Sequence, residues 1–267
     1  LLLQTAFRNP LAGPSILGID SGASLGVALA MMLFGGSLTM GGMSMGGYVF
    51  TILAALAGAI GIMILLSILN AVLKSTVMLL ITGVIISYIT GSLISLLQFW
   101  ASHDGLQAYI LWGMGNFTSV SMERLPIFAG MVSIGLIMAM LMMKPLDALL
   151  LGDRYAQNLG VKTTRTRHML LLATGLLSAV TTAFCGPISF IGLATPHIAR
   201  IVSSSGSHRS LLPCTMALGA SIALLCNLLC NLPQSSVIPI NVLTPLIGAP
   251  VIVYYTLAPA LSARRRR

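Results

Sequence analysis

Apolar segments long enough to cross a bilayer alternate with short polar segments along most of the chain. A transmembrane helix needs roughly 20 apolar residues, and the spacing predicts eight crossings. These are Ser15–Gly36, Met45–Asn70, Val77–Gln98, Leu125–Met143, His168–Phe184, Ile188–Val202, Leu211–Leu232 and Ile240–Leu261. An apolar run before Asn9-Pro10 predicts the end of another helix, because proline does not continue a helix. The pattern therefore predicts an all-α, polytopic membrane protein with eight full transmembrane helices and part of another.

Composition excludes a soluble domain. Hydrophobic residues make up 57% of the 267 residues and charged residues only 7%, whereas a soluble domain carries about 25% charged residues. The formal net charge of +9 is a feature of nucleic-acid-binding proteins. Here, however, the basic residues lie singly or in short groups between apolar segments, as residues that set membrane topology do. We therefore expect the lipid bilayer, and no nucleic acid, as a partner.

Orientation follows from the same basic residues. Counting the crossings in order puts every lysine and arginine except Arg124 on one side of the membrane. Because positively charged loops stay in the cytoplasm, we expect the charged segment Lys144–Arg167 and the C-terminal Arg264–Arg267 to be cytoplasmic. The segments Ser102–Glu123 and Pro233–Pro239 then face outward.

Motifs for catalysis are missing from the sequence. A phosphate-binding P-loop requires Gly-Lys-Ser/Thr, and none of Lys74, Lys144 and Lys162 follows a glycine. A His-Glu-x-x-His zinc motif is also absent. We therefore expect a transport subunit and not an enzyme, with no catalytic residue and no cofactor of its own.

Ionisable and metal-binding side chains are scarce in the predicted crossings. Asp20 is the main candidate for ion-coupled transport, although it could instead cap the helix that follows. His197 could be a metal ligand or a hydrogen-bonding group near a helix end. Cys226 and Cys230 could form a metal pair, but no histidine or acidic residue lies nearby in the sequence to complete a site. Small buried hydrophobes are the simpler interpretation, and we predict no metal site.

Glycines spaced by four residues mark one face of the first predicted crossing, at Gly18, Gly22 and Gly26. Such small residues let two helices approach closely in lipid. They could equally line a wide pathway, and one stripe could do both.

Four segments, in their order and spacing, resemble the permease subunits of the type II ABC importers for iron-siderophores, haem and cobalamin. They are Gln4–Gly18 with Gly22-Ala23; Gly152–Val161; Gly186–Arg200 with His208-Arg209 and Leu212-Pro213; and Pro239–Pro250. The match spans the whole chain.

The resemblance implies one transmembrane permease domain over residues 1–267, with a cytoplasmic coupling segment at residues 145–166. The family has ten helices per subunit, so the first helix and most of the second would be missing, and the permease would be incomplete at its N-terminus. Two permease copies, a homodimer, would work in the bacterial cytoplasmic (inner) membrane with two ATPase subunits that use ATP and magnesium. A periplasmic or lipid-anchored binding protein would deliver the substrate.

The resemblance also implies roles for individual residues. The ATPase-coupling residues would be Gly152, Asp153, Arg154, Ala156, Leu159, Gly160 and Val161, with Gly160 allowing a turn between two short helices. The cytoplasmic gate would be Ser75, Thr76 and Val77. The translocation path and its helix breaks would involve Gln4, Asn9, Pro10, Pro14, Gly186, Pro187, Phe190, Pro196 and His197.

Several positions depart from the family pattern. Asn227 and Asn231 stand where some members carry Asp and Arg, Val237 stands where a Glu is common, and Asn241 replaces a Gly. An outward basic residue would normally pair with an acidic group of the binding protein. Because that basic residue is absent here, the contact with the binding protein is either left unassigned or made by Arg124 and the missing N-terminal part.

Two questions stay open at this point. The substrate could be haem, a ferric siderophore, cobalamin or an oxyanion such as molybdate. The alternative function is an ATP-independent secondary transporter or channel, which would transport without an ATPase and would depend on Asp20.

Overall fold

The computed structural model describes residues 1–34, 38–40, 43–45, 47–73, 76–203, 205–232 and 238–264. Within these ranges the chain is almost entirely helical. The helices are α1 (Leu2–Ala6), α2 (Ile19–Phe34), α3 (Gly47–Val72), α4 (Thr76–Trp100), α5 (His103–Gly113), α6 (Leu125–Leu141), α7 (Met143–Leu150), α8 (Asp153–Asn158), α9 (Thr163–Cys185), α10 (Ile191–Ser203), α11 (His208–Cys230) and α12 (Ile240–Arg264). A 3₁₀ turn covers Phe117–Ser119, and strands β1 (Leu38–Met40) and β2 (Met43–Met45) pair antiparallel.

Each of the eight predicted crossings contains a helix, so the all-α class is confirmed. Of the described helices, α3, α4, α9 and α11 are long and apolar enough to cross a membrane. The pair α6 and α7 forms a fifth candidate that is bent by 48°. The fold is therefore that of a multi-pass membrane protein, and the count of eight full crossings stays a prediction.

Two compact units divide the chain. One comprises residues 2–187, and the other comprises Leu1 with residues 188–267. The first unit contains α1 to α9 and the whole of segment 145–166. The second contains α10, α11 and α12, which pack on one another.

Helix α9 forms the core of the first unit. In the 18-residue apolar stretch of α9, 61% is buried inside the protein. The corresponding share is 22% in α3 and 28% in α4. Helices α2, α3 and α6 all pack on α9. Because lipid is as apolar as a leucine side chain, helices in a bilayer associate through close packing and polar contacts rather than through exclusion of water.

Close packing is clearest between α2 and α3. A Cβ atom added to Gly22 would lie 2.7 Å from the carbonyl oxygen of Gly58, and one added to Gly26 would collide with the carbonyl oxygen of Ala54. The two backbones of α2 and α3 thus touch where side chains would separate them. This geometry supports the packing interpretation of the glycine stripe.

Helix α5 and the strands β1 and β2 were not expected from the sequence. Helix α5 lies in segment 102–123, which the sequence placed outside the predicted crossings; the Ser102 side chain caps it and accepts a hydrogen bond from the Gly105 amide (3.3 Å). The strands β1 and β2 precede α3, whose helical residues begin at Gly47 instead of Met45. Helix α9 also begins earlier than predicted, at Thr163 inside segment 145–166.

Candidate functional site

Segment 145–166 folds as two short helices joined by turns. Gly152 lies between α7 and α8 with φ of 119°, and Gly160 follows α8 with φ of 83°. Residues other than glycine rarely adopt these conformations. After α8, the Gly160 amide donates to the Gln157 carbonyl (2.9 Å) and the Val161 amide to the Ala156 carbonyl (3.0 Å). This pair of bonds is the Schellman arrangement that ends a helix at a glycine, so the turn predicted at Gly160 is present.

Asp153 fastens the start of α8 to its neighbours. Its carboxylate accepts a 2.6 Å hydrogen bond from Arg167 in α9 and lies 3.8 Å from Arg8. Arg8 also donates to the Leu149 carbonyl at the end of α7 (3.0 Å). A carboxylate in the first turn and a cation at the end of a helix both complement the helix dipole. The contacts of Asp153 therefore stabilise the segment itself.

Further contacts hold α8 against α9. Ala156 is completely buried, and the side-chain amide of Gln157 donates to the Thr163 hydroxyl (3.1 Å). Because α8 has only six residues, these contacts and the two glycine turns fix its orientation.

The remaining surface of α8 and the end of α7 are exposed and partly apolar. We call it the α8 patch; its members are Leu150, Leu151, Arg154, Tyr155 and Leu159. The side chains of Leu151 and Leu159 are 64% and 59% exposed, and Lys162 and Arg165 are exposed next to the patch. Exposed apolar groups beside charged ones mark surfaces that bind another protein. Of the predicted coupling residues, Arg154 and Leu159 belong to this patch, whereas Ala156 and the two glycines shape it.

The predicted gate is only partly described. Ser75 lies outside the described residues, Thr76 is the first residue of α4, and the Val77 side chain is 64% exposed in the first turn. A role for these residues in gating stays a prediction.

The predicted path residues are divided between the two units. In the first unit, Gln4 is buried in α1, and the Asn9 side chain accepts from the Leu11 amide (2.9 Å) in the turn that contains Pro10 and leads to Pro14. Gly186 and Pro187 follow α9 in the same unit. In the second unit, Phe190 precedes α10 with φ of 67°, and Pro196 and His197 are buried within α10. Helix breaks are therefore present both at residues 9–14 and at residues 186–190. A role of the predicted path residues in transport stays a prediction.

Comparison with known proteins decides the family. The model of the FecCD transport family matches residues 1–258. The chain belongs to this family.

Relatives of this FecCD permease are import-system permeases. It is 35% identical over 257 residues to the vitamin B12 import system permease BtuC of Klebsiella pneumoniae, covering 96% of the chain and 75% of the relative. It is also 35% identical over 258 residues to the molybdate import system permease MolB of Haemophilus influenzae, covering 95% and 74%. A solved structure described as an inward-facing, metal-chelate type ABC transporter matches with a TM-score of 0.86 and 31% identity over 96% of the chain and 79% of that structure. The resemblance drawn from the four segments is therefore confirmed, and the protein is an ABC importer permease.

Asp20 of the FecCD permease contacts α9. Its carboxylate accepts a short hydrogen bond from the Ser178 hydroxyl and a longer one from Thr182 (3.4 Å). These partners lie on the neighbouring helix, so the contacts join α2 to α9 instead of capping the first turn of α2. In the part of the chain that the structure describes, no three His, Cys, Asp or Glu side chains come together to hold a metal ion.

The positions that depart from the family pattern have local partners. Asn231, which ends α11, donates to the Asn227 carbonyl (2.7 Å), and Asn241 accepts from the Ser189 amide (3.1 Å). Val237 lies outside the described residues. Arg124 lies 4.0 Å from the centre of the Tyr48 ring, a contact that the sequence did not suggest because the two residues are far apart in the chain.

Proposed function

We propose that this FecCD permease forms, with a second copy, the path by which an ATP-driven importer moves a metal-containing compound into the cytoplasm. The substrate would be an iron chelate, haem or a cobalamin-type compound. The cobalamin and metal-chelate classes are those named for one relative and for the structural neighbour. The molybdate relative keeps an oxyanion as the second candidate substrate.

The α8 patch is the observation that carries this proposal. It is a small, braced surface with exposed leucines and a tyrosine beside three basic side chains, and a surface of this kind suits docking on a soluble protein. The proposed partners at this patch are two ATP-binding subunits, which would use ATP and magnesium. A substrate-binding protein would dock at the opposite membrane surface.

Orientation in the inner membrane belongs to the same proposal. The α8 patch and the C-terminal arginines would face the cytoplasm, where the ATPase subunits are. The bias of lysine and arginine toward this side supports the assignment, because basic loops are retained in the cytoplasm.

Mechanically, the chain would convert motion of its partner into motion of helices. ATP binding would bring the two ATPase subunits together and displace the α8 patch. Because Asp153 and Gln157 connect α8 to the start of α9, the displacement would pass to α9 and to the helices packed on it. The permease itself would contribute shape and movement, and no bond-breaking step.

Docking is tested by adding a charge to the α8 patch. Leu159→Asp places a carboxylate within the α8 patch, whereas Asn158→Asp adds the same charge at the adjacent exposed position. We expect Leu159→Asp to reduce recovery of the cognate ATPase subunits with the tagged permease by about tenfold, a loss near 1.4 kcal/mol of binding free energy. Asn158→Asp should keep recovery near the wild-type level. Equal recovery with both variants would contradict docking at the patch.

Reconstitution distinguishes the importer from a secondary transporter or channel. Proteoliposomes containing the permease and its ATPase subunits should take up substrate only when ATP is supplied on the ATPase side. Uptake by the permease alone, abolished by Asp20→Asn, would instead favour ion-coupled transport.

A further inference from the structure

The C-terminal end of α9 is held by three neighbouring elements of the first unit. The Tyr48 hydroxyl, at the start of α3, donates to the Phe184 carbonyl (2.9 Å). The Asn116 amide, just before the 3₁₀ turn, donates to the Cys185 carbonyl (2.8 Å). The last carbonyls of a helix have no partner within the helix, so these two bonds fix α9 to its surroundings at the point where it ends.

Arg124 completes this cluster from the start of α6. Its guanidinium lies 4.0 Å from the centre of the Tyr48 ring, and one turn later in α6 the Phe128 ring lies 5.2 Å from that of Phe184. A guanidinium over an aromatic face is an attractive cation–π contact. We call Tyr48, Asn116, Arg124, Phe128 and Phe184 the α9 end cluster.

Arg124 is therefore engaged within the permease. It is the one basic residue that the sequence places on the outward side, where it could have bound an acidic group of the binding protein. Its position over Tyr48 makes it part of the packing between α3 and α6. Next to it, the Glu123 side chain is exposed.

The other end of α9 is fixed to α8, the helix that carries the α8 patch. Arg167 bonds Asp153 (2.6 Å) and Thr163 bonds Gln157 (3.1 Å), both in the first turns of α9. Helix α9 has 23 residues, which corresponds to about 34 Å at 1.5 Å per residue, enough to cross the hydrocarbon core. Because 61% of its apolar stretch is buried inside the protein, a displacement of one end of α9 would also displace the other end.

We propose that Tyr48 and Arg124 are positioning residues that couple the α8 patch to the surface formed by residues 114–124. By fixing the end of α9 to α3 and α6, they turn a displacement of α8 into a change at the opposite membrane surface. That surface is where the binding protein would dock, so the ATPase and the binding protein would sense each other through α9. The inference rests on the proposed function, because it requires an ATPase at the α8 patch.

Hydrogen exchange on the assembled complex of permease and ATPase subunits tests this coupling without knowledge of the substrate. Amide exchange is measured for residues 153–161 and 114–124, before and after magnesium ATP with vanadate is added to trap the ATPase. We expect the trap to change exchange in both segments of the wild type. Tyr48→Phe keeps the ring under Arg124 but loses the bond to Phe184, and Arg124→Gln removes the cation. In each variant, the change in exchange at residues 114–124 should be at least threefold smaller than in the wild type.

Three comparisons separate coupling from a merely structural role. Basal ATPase activity and the response of residues 153–161 should stay at the wild-type level in Tyr48→Phe, which shows that the variant is folded and assembled. Arg124→Lys keeps a cation over the ring and should restore most of the response. Tyr109→Phe removes the hydroxyl of a tyrosine in α5 whose ring packs on Trp112, outside the α9 end cluster, and should leave the response unchanged.

The outcomes distinguish the inference from the proposed function. If residues 153–161 respond in the wild type but residues 114–124 do not, or if both variants respond fully at residues 114–124, the coupling inference is wrong. If residues 153–161 of the wild type do not respond at all, docking of an ATPase at the α8 patch is wrong as well.

Discussion

Gly186 follows α9 in a backbone conformation that almost excludes other residues. Its φ is 76° and its ψ is 173°, and an added Cβ would lie 2.5 Å from the Trp112 carbonyl oxygen. We expect Gly186→Ala to lower the free energy of unfolding by about 1–3 kcal/mol, because a side chain is strained in this region and also collides with α5. The midpoint of thermal unfolding in detergent measures the loss.

Gly130→Ala is the matched control for that change. Gly130 lies within α6 with nothing near the position of an added Cβ, and alanine is favoured over glycine in a helix by about 1 kcal/mol. It should leave the midpoint unchanged or raise it slightly. A midpoint for Gly186→Ala equal to that of Gly130→Ala would show that the conformation at Gly186 is not required.

Residue-level features were predictable where their cause is local in the sequence. The turn at Gly160 was predicted because glycine after a short helical segment is a local signal, and the turn is present with φ of 83°. The brace from Arg8 to Leu149 spans 141 residues of sequence and depends on how α1 packs on α7, so no pattern near Arg8 could indicate it. The resemblance placed Asp153 among the ATPase-coupling residues, and only the structure shows that it pairs with Arg167.

Contact between α2 and α3 depends on glycines that face one another. A Cβ at Gly22 would lie 2.7 Å from the Gly58 carbonyl oxygen and 3.2 Å from its carbonyl carbon. We expect Gly22→Ala to separate the two helices and to cost about 1–3 kcal/mol, the usual range for overpacking. Thermal unfolding in detergent gives the size of the effect.

Gly61→Ala provides the comparison on α3, since an added Cβ there meets no atom within 4 Å. It should unfold at the wild-type temperature. If Gly22→Ala did so too, the glycine stripe on α2 would have to serve a pathway instead of packing.

Elements were predictable in proportion to their apolar length. The long apolar runs gave a helix in every predicted crossing, because a bilayer requires each buried backbone group to be satisfied within its own segment. Short elements were missed: α5 depends on a cap from Ser102, and β1 and β2 depend on pairing with each other. Both are set by contacts that hydropathy does not record.

At the scale of the whole molecule, sequence motifs identified the family but not the substrate. The first three segments contain helix breaks or turns, at residues 9–14, 152–160 and 186–190, whereas Pro239–Pro250 lies almost wholly in α12. Relatives of equal similarity are permeases of a vitamin B12 and of a molybdate import system, so overall similarity does not distinguish these substrates. A family assignment therefore fixes the type of transport without fixing what is transported.

Membrane topology is the property of the whole chain that most needs a direct measurement. Single cysteines at Asp104, Leu159, Ser207 and Asn231 can be introduced after Cys185, Cys214, Cys226 and Cys230 are replaced by serine, and a membrane-impermeant maleimide then reports their side. We expect Asp104→Cys and Asn231→Cys to react in intact spheroplasts, and Leu159→Cys and Ser207→Cys to react only after permeabilisation. Asp104 and Leu159 are separated by the bent pair α6 and α7, so labelling of both from the same side would show that this pair does not cross the membrane. The basic residues would then no longer fall on one side, and the assignment of the α8 patch to the cytoplasm would lose its support.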